Sequence, residues 1–435
     1  MPFRHSGAGT TIVVPSGDNP RVDAAGRKQL IEELCSFEGR GPGTDAERRA
    51  ANMLAGRLRG MGRRVELEPT YCHPNYALVH AITVVAAIAG SLVATASPAL
   101  GFALVLAAAT SMYLDVNTRF YLARRLLFRR ASQNVVSPGT RAGAPTRLIL
   151  TAHYDAAPSG WVFGERGLAF IRRLPPRARI LLGPFRLIFW GGMVSLLPIL
   201  GARMAGFDPA WLDLVQLVPT VLLIVSLFLL IDIALSEIVP GAYDNASGVA
   251  TVLSAAEQLE REPPANLDIW VVLTGSEESH CEGMRSFVKA HRDMDPATTL
   301  IVNVDQTGYG TVHYLVTEGA LISYPMDAEL VELCQALAAS DPRYAAHPAR
   351  TSLQTDALPA LIRGRRAISL TGLADGLPAG TYHTHDDVPE NVDGEAMTRA
   401  TDFTVALVRL IDRGAGRSAA PSPPPPDAIV ARPEA

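Results

Sequence analysis

The stretch Leu267-Asp268-Ile269-Trp270-Val271-Val272-Leu273-Thr274-Gly275-Ser276-Glu277-Glu278 decides how this chain is read. A largely apolar run of strand length ends in a glycine turn and two adjacent carboxylates. Near-continuous apolar runs are the signature of buried strands. Neighbouring residues beyond a strand point in different directions, so one carboxylate can ligate a metal ion while the other faces the bound water as general base. On an exposed loop the same pair would be an ordinary acidic turn.

Four further stretches place a metal-type side chain in a comparable position. His153 in T-A-H-Y-D follows Leu148-Ile149-Leu150, Asp305 ends Leu300 to Val304, and His383 in Y-H-T-H-D-D lies beyond Ala367 to Leu370. Asp244 sits in the glycine-flanked turn G-A-Y-D-N-A-S-G that opens a helix, where it serves as N-cap, bridging carboxylate or both. Asp155, two residues past His153, is placed to hold the second imidazole nitrogen. The order His, Asp, Glu-Glu, Asp, His is the inventory expected of a two-metal hydrolytic centre, because ions that share a carboxylate need mixed imidazole and carboxylate ligands. Ligands beyond the carboxyl ends of strands also suit an open α/β sheet. His385 offers a competing imidazole two residues past His383.

The scattered ligands must converge, so the 435 residues fit one large α/β domain with insertions better than several small ones. A formal net charge of −4 leaves no nucleic-acid footprint. Cys35, Cys72, Cys281 and Cys334 show no C-x-x-C spacing, which suits a reducing compartment and argues against cysteine zinc ligation. The opening M-P-F-R-H-S-G has no apolar core and predicts no secretory signal. Thr44 to Glu47 reads as a capping box ahead of an amphipathic helix that ends before Gly62, and Val65 to Glu68 reads as a short strand.

Only 19% of the residues are charged, and the apolar excess falls in two blocks, 77–114 and 180–235. Uncharged stretches such as Ala81 to Ala96 and Leu214 to Ile231 approach the ~20 residues of a membrane span. The segments around His153 and Asp244 must share one side of the membrane, so each block crosses an even number of times; two hairpins are the simplest solution. Arg119, Arg124, Arg125, Arg129, Arg130, Arg172, Arg173, Arg177 and Arg179 flank the blocks on the catalytic side, and the far turns carry Arg203 alone. That asymmetry predicts a multi-pass protein of the cell membrane with its catalytic domain in the cytoplasm. Residues 119–130, with apolar and basic residues interleaved, fit either a solvated basic helix or an interfacial one. The expected organisation is a flexible lead over 1–25, catalytic segments over 26–76, 115–179 and 236–413, hairpins over 77–114 and 180–235, and a disordered Pro-rich tail over 414–435.

The G-P-G-T-x-A-E-R-R-A-A-N helix entry, Asn134-Val135-Val136, H-Y-D, D-N-A-S-G, the E-E pair with Gly283-Met284-Arg285-Ser286, Val304-Asp305 and Y-H-T-H-D-D together resemble the co-catalytic zinc exopeptidases. That family includes bacterial leucyl aminopeptidase, aminopeptidase Y and the peptidase domain of glutamate carboxypeptidase II. The resemblance runs from about Gly41 to Asp412 outside the apolar blocks. It implies an α/β fold, a mixed central sheet between helical layers; the two inserted transmembrane hairpins are no part of that family's core and are read from their own apolar length. It further implies two Zn2+ ions, His153 and Asp305 on one, Glu278 and His383 on the other, Asp244 bridging, Glu277 as base and Asp155 orienting His153. The implied activity is hydrolysis of terminal peptide bonds, with an aminopeptidase favoured; a glutaminyl-peptide cyclase and an inactive membrane receptor or scaffold are the alternatives. Peptide substrate and lipid bilayer are the expected partners, with no nucleic acid. The spacer Ser279-His280-Cys281-Glu282 is longer than the usual one in this family.

Overall fold

The computed structural model describes residues 23–419 except 142, 165, 166, 168, 170 and 171. Nine strands form one sheet: β1 Glu66–Cys72, β2 Arg130–Ser137, β3 Thr146–His153, β4 Leu267–Thr274, β5 Thr299–Asp305, β6 Thr311–Glu318, β7 Tyr324–Pro325, β8 His347–Arg350 and β9 Arg366–Leu373. Their order is β1-β2-β4-β3-β5-β9-β6-β7, with β8 on β6. The four central strands β4, β3, β5 and β9 are parallel, while β1, β2 and β6 join antiparallel. The sheet is therefore mixed, and its parallel centre is the part whose strand ends carry the ligands. β5 is buried along its whole length, as a strand covered on both faces must be.

Helices α1 Ala24–Cys35 and α2 Asp45–Gly60 precede β1. Thr44 caps α2 by accepting from Glu47 N, and the Glu47 carboxylate reaches back to Gly43 N at 2.9 Å rather than to the N-cap amide. The first apolar block is the hairpin α3 Tyr76–Val93 and α4 Pro98–Val116, and the second is α5 Pro184–Met204 and α6 Trp211–Leu235. At 1.5 Å per residue these helices are roughly 27 to 37 Å long, against a hydrocarbon core of about 30 Å. Helix α7 Ser247–Arg261 packs on β3, β5 and the long C-terminal helix, and α8 Glu282–Ala290 packs on β1 and β2.

The buried apolar residues fall into two clusters. One joins the sheet to its helices; the other is built mainly from α3 to α6. Outside their own core the apolar helices stay apolar: Leu214, Val218, Phe228 and Leu235 of α6 are 68%, 71%, 69% and 81% exposed. Helices apolar on all sides are unsuited to water. Polar groups turn inward instead, where Ser91 pairs with Thr220, Gln216 donates to the Ser91 carbonyl, and Arg203 is enclosed by Gln216, Asp208 and Asp213.

Two local expectations change. Residues 119–130 form no extended helix, only a 3-10 turn at Ala123–Leu126 before β2 begins. Arg124 does not face solvent or lipid headgroups: it is fully buried against Asp115 and Glu282. The C-terminal helix, Gly394–Ala419, continues past Gly414. Gly is a weak helix former, not a forbidden one, and Ala415, packed against the core, carries the helix onward. The expected lead over 1–22 and tail over 420–435 lie outside the described residues.

Candidate metal centre

Four parallel strands deliver the ligands to one place. His153 is the last residue of β3 and Asp305 the last of β5. The dyad follows β4 by three residues, and the His383 loop follows β9. Asp244 comes from the turn before α7, entered through Gly241 in the left-handed region at φ +69°. A methyl group on Gly241 would lie 2.7 Å from Ala156 Cβ and from Asp244 O, so both conformation and space call for glycine. Asn245 ties this turn to β5: its side chain accepts from Gly248 N and Gln306 N and donates to Val304 O. At Gly248 a Cβ would come within 2.2 Å of that amide oxygen. The D-N-A-S-G run thus encodes a close approach between helix start and strand end.

The Asp244 carboxylate faces both imidazoles. Its Oδ1 lies 3.2 Å from His153 Nε2, and its Oδ2 lies 3.1 Å from His383 Nε2. Asp305 Oδ1 completes the His153 side at 3.5 Å, and Glu278 Oε1 the His383 side at 3.6 Å. Two groups share Asp244, His153-Asp244-Asp305 and Asp244-Glu278-His383, and two others contain Glu277, His153-Glu277-Glu278 and Glu277-Cys281-Asp356, with candidate ligand atoms within 4.8 Å of one another inside each. Glu277 stands beside them, its Oε2 4.0 Å from His153 Nε2. His383 is buried, while His385 is exposed.

Burial makes this arrangement costly without cations. Asp244 Oδ1, Glu278 Oε1 and Asp305 Oδ1 are buried with no hydrogen-bond partner, a state that costs several kcal/mol per ionised group. Desolvation lifts the carboxyls of Glu277 and Glu278 above the usual range, against the pull of His153 and His383 respectively. Asp244 is desolvated too, yet the His153 and His383 imidazoles beside it outweigh burial and hold its carboxyl low. His383 is pushed up to about 10: burial opposes its charge, but Glu278 and Asp244 prevail. Carboxylates sharing protonated imidazoles at such distances are the pattern that divalent ions replace, and a mixed N/O donor set suits zinc.

Asp155 stands against His153, as expected, and touches the dyad as well. Its backbone carbonyl, at 3.2 Å, is the nearer partner of His153 Nδ1, and its carboxylate oxygen stands at 3.6 Å. The carboxylate also accepts from Glu277 N and Glu278 N, both at 3.0 Å. Ser276, at φ +55°, turns the chain so that these two amides point the same way. Non-glycine residues in the left-handed region are uncommon, and here Gln306 and His383 adopt it as well, at +56° and +55°.

Three supporting residues were not singled out from sequence. Asp387 accepts from Tyr243 N at 2.6 Å and Asp244 N at 3.1 Å, clasping the His383 loop to the Asp244 turn; burial pushes its carboxyl up to about 7. Glu47 accepts from Ser132, Gly43 and Ser276, anchoring the strand end that leads to the dyad. Cys281 donates its thiol hydrogen to Glu277 Oε1 at 3.2 Å. Asp387 closes the quoted H-T-H-D-D run, and Glu47 the capping box, so a carboxylate without an assigned partner was the available signal.

Residues 231–408 match the model of peptidase family M28. The match covers Asp244, Glu277, Glu278, Asp305 and His383, and the fold adds His153. No curated protein sequence matches the chain. Among solved structures it is similar to the LapA aminopeptidase of Legionella pneumophila, at 13% identity and a TM-score of 0.51 over 90% of this chain and 72% of that one. It is also similar to the glutaminyl cyclases of Tannerella forsythia (15% identity, TM-score 0.51, 90% and 99% covered) and Porphyromonas gingivalis (14%, 0.50, 89% and 97%). At these identities the structures speak for the fold alone, a mixed α/β sheet. Over residues 231–408 the chain is similar to peptidase family M28, and the fold and the converged His, Asp and Glu side chains agree with that likeness to a metallopeptidase.

Proposed function

We propose that this protein is a membrane-anchored, zinc-dependent aminopeptidase whose catalytic domain lies in the cytoplasm. The observation that carries the hydrolytic reading is the pair of candidate ligand groups sharing Asp244, with Glu277, 4.0 Å from His153, as the carboxylate beside that pair. His153 and Asp305 would hold one ion, Glu278 and His383 the other, with Asp244 between. Two zinc ions held there would lower the pKa of a shared water and polarise the scissile carbonyl. Glu277 accepts the proton of the attacking water and returns it to the leaving amine nitrogen. Burial has already raised its affinity for a proton, which suits a base that must also act as an acid. Asp155 keeps the dyad in register by holding both of its amides.

The membrane reading rests on four helices of sufficient length and apolarity, with apolar outward faces, and on the arginines of their flanks. A cyclase reading is supported by the likeness to two glutaminyl cyclases. The complete second ligand group favours hydrolysis. Digestion of a peptide library by detergent-purified protein, read by mass spectrometry, separates the two: an aminopeptidase releases free residues from the amino end, whereas a cyclase leaves peptide length unchanged and removes ammonia from N-terminal glutamine. Trimming from the carboxyl end would overturn the aminopeptidase assignment.

A further inference from the structure

The spacer Ser279 to Glu282 leads from the dyad into α8, and the structure ties it to the apolar helices. Arg124, fully buried, grips Asp115 near the end of α4 through two hydrogen bonds, Nε to Oδ2 at 2.7 Å and Nη2 to Oδ1 at 3.0 Å. Its remaining nitrogen, Nη1, donates to the carbonyl of Ser279 at 2.7 Å and lies 3.1 Å from Glu282 Oε2. Glu282 in turn accepts from Ser279 Oγ and His73 N. The next residue, His280, meets His80 of α3 at 3.0 Å and Gln354 at 2.7 Å, and Gln354 donates to the carbonyl of Val116 at the end of α4.

His280 and Cys281 both stand in the left-handed region, at φ +67° and +55°. Consecutive non-glycine residues hold such a conformation only where their surroundings over-determine it. Here the sheet domain supplies one side of the restraint, through Asp155, and the helical bundle the other, through His80 of α3 directly and through Asp115 and Val116 at the end of α4, which Arg124 and Gln354 link to the turn. Cys281 closes the turn with its amide on the Glu277 carbonyl and its thiol on the Glu277 carboxylate.

We propose that the buried Arg124–Asp115 pair is a positioning device by which the end of α4 sets the Glu277–Glu278 turn, making the bundle a working part of the peptidase as well as its anchor. The proposal rests on Glu277 acting as the base. A desolvated ion pair is an expensive way to gain stability, and an apolar pair would serve packing as well. The guanidinium fork offers what an apolar pair cannot: one planar group that fixes a helix end and a catalytic turn in a single geometry.

The test uses the full chain in detergent, with Asp115→Asn, which keeps shape without charge, and Arg124→Lys, which keeps charge without the fork. Measured together are kcat and KM on an aminoacyl arylamide, metal content, and amide hydrogen exchange. Both variants should lose about ten- to a hundredfold in kcat, the scale of a misplaced catalytic group, with KM and metal content near wild type. Exchange should quicken at 277–282 while β3 stays as protected as before. Wild-type kcat with unchanged exchange in the turn overturns the proposal. So does faster exchange throughout the domain with wild-type kcat per metal-loaded chain, the mark of a purely structural pair. Absence of hydrolysis by the wild type would refute the activity reading instead, and localised or absent exchange at 277–282 would still decide the clamp.

Discussion

On the proposed reading Glu277 and Glu278 are adjacent carboxylates with separate work, and substitution should separate them. Glu278 faces His383 within a ligand group, while Glu277 stands outside the shared pair of groups and accepts the Cys281 thiol hydrogen. Glu277→Gln keeps shape and ligands but cannot take a proton, so kcat should fall by about 10²–10⁴ with metal content and melting temperature little changed. Glu278→Gln removes an anionic ligand, so metal should be lost and activity partly restored by excess zinc. Loss of metal from the first variant and retention by the second would shift the dyad's register by one. A second residue-scale test concerns the two histidines: His383→Ala should abolish activity and weaken metal binding, and His385→Ala, at an exposed site, should leave both near wild type. The histidine pair could not be ranked from residue spacing, because two residues apart on a loop says nothing of direction. His383 reaches Asp244 because the loop turns at φ +55° there. The main-chain carbonyl of Asp155 as the nearer partner of His153 was equally hidden, since H-x-D spacing shows side chains and not backbone.

At the scale of elements, the turn from Gly241 to Ser247 governs how Asp244 is presented. Gly241→Ala would place a methyl group 2.7 Å from Ala156 Cβ in a left-handed conformation. It should cost about 1–3 kcal/mol, read as a lower melting temperature, with weaker metal retention because the strain falls on the turn that carries the shared ligand. An unchanged melting temperature would show that the turn relaxes freely. Strand runs ending at His153 and Asp305 were legible because parallel central strands are apolar throughout and the ligands sit at their ends. The basic segment before β2 was not. Its composition suggests a surface helix, but Arg124 is claimed by Asp115 and Glu282, and no local period reports a partner 158 residues downstream (282 − 124).

At the scale of the whole molecule there are two apolar clusters, one in the sheet domain and one mainly in the helical bundle, the second taking in Ala320 and Leu321 beyond β6. The two hairpins were legible from apolar length; their attachment to the catalytic turn was not, since it depends on which helix ends face the dyad. Sidedness is open to cysteine labelling in intact cells. Ala210→Cys, in the exposed far turn, should react with an impermeant reagent from outside, whereas Asp293→Cys, exposed on the sheet domain, should react only after lysis. Labelling of the second from outside would place the substrate pool on the exterior. The shared role of Asp244 is tested most directly by elemental analysis of purified protein. Wild type should hold about two zinc-type ions per chain, and Asp244→Ala should lose most of both, because one carboxylate serves two ions. A single tightly held ion in the wild type, retained unchanged by the variant, would contradict the two-ion centre.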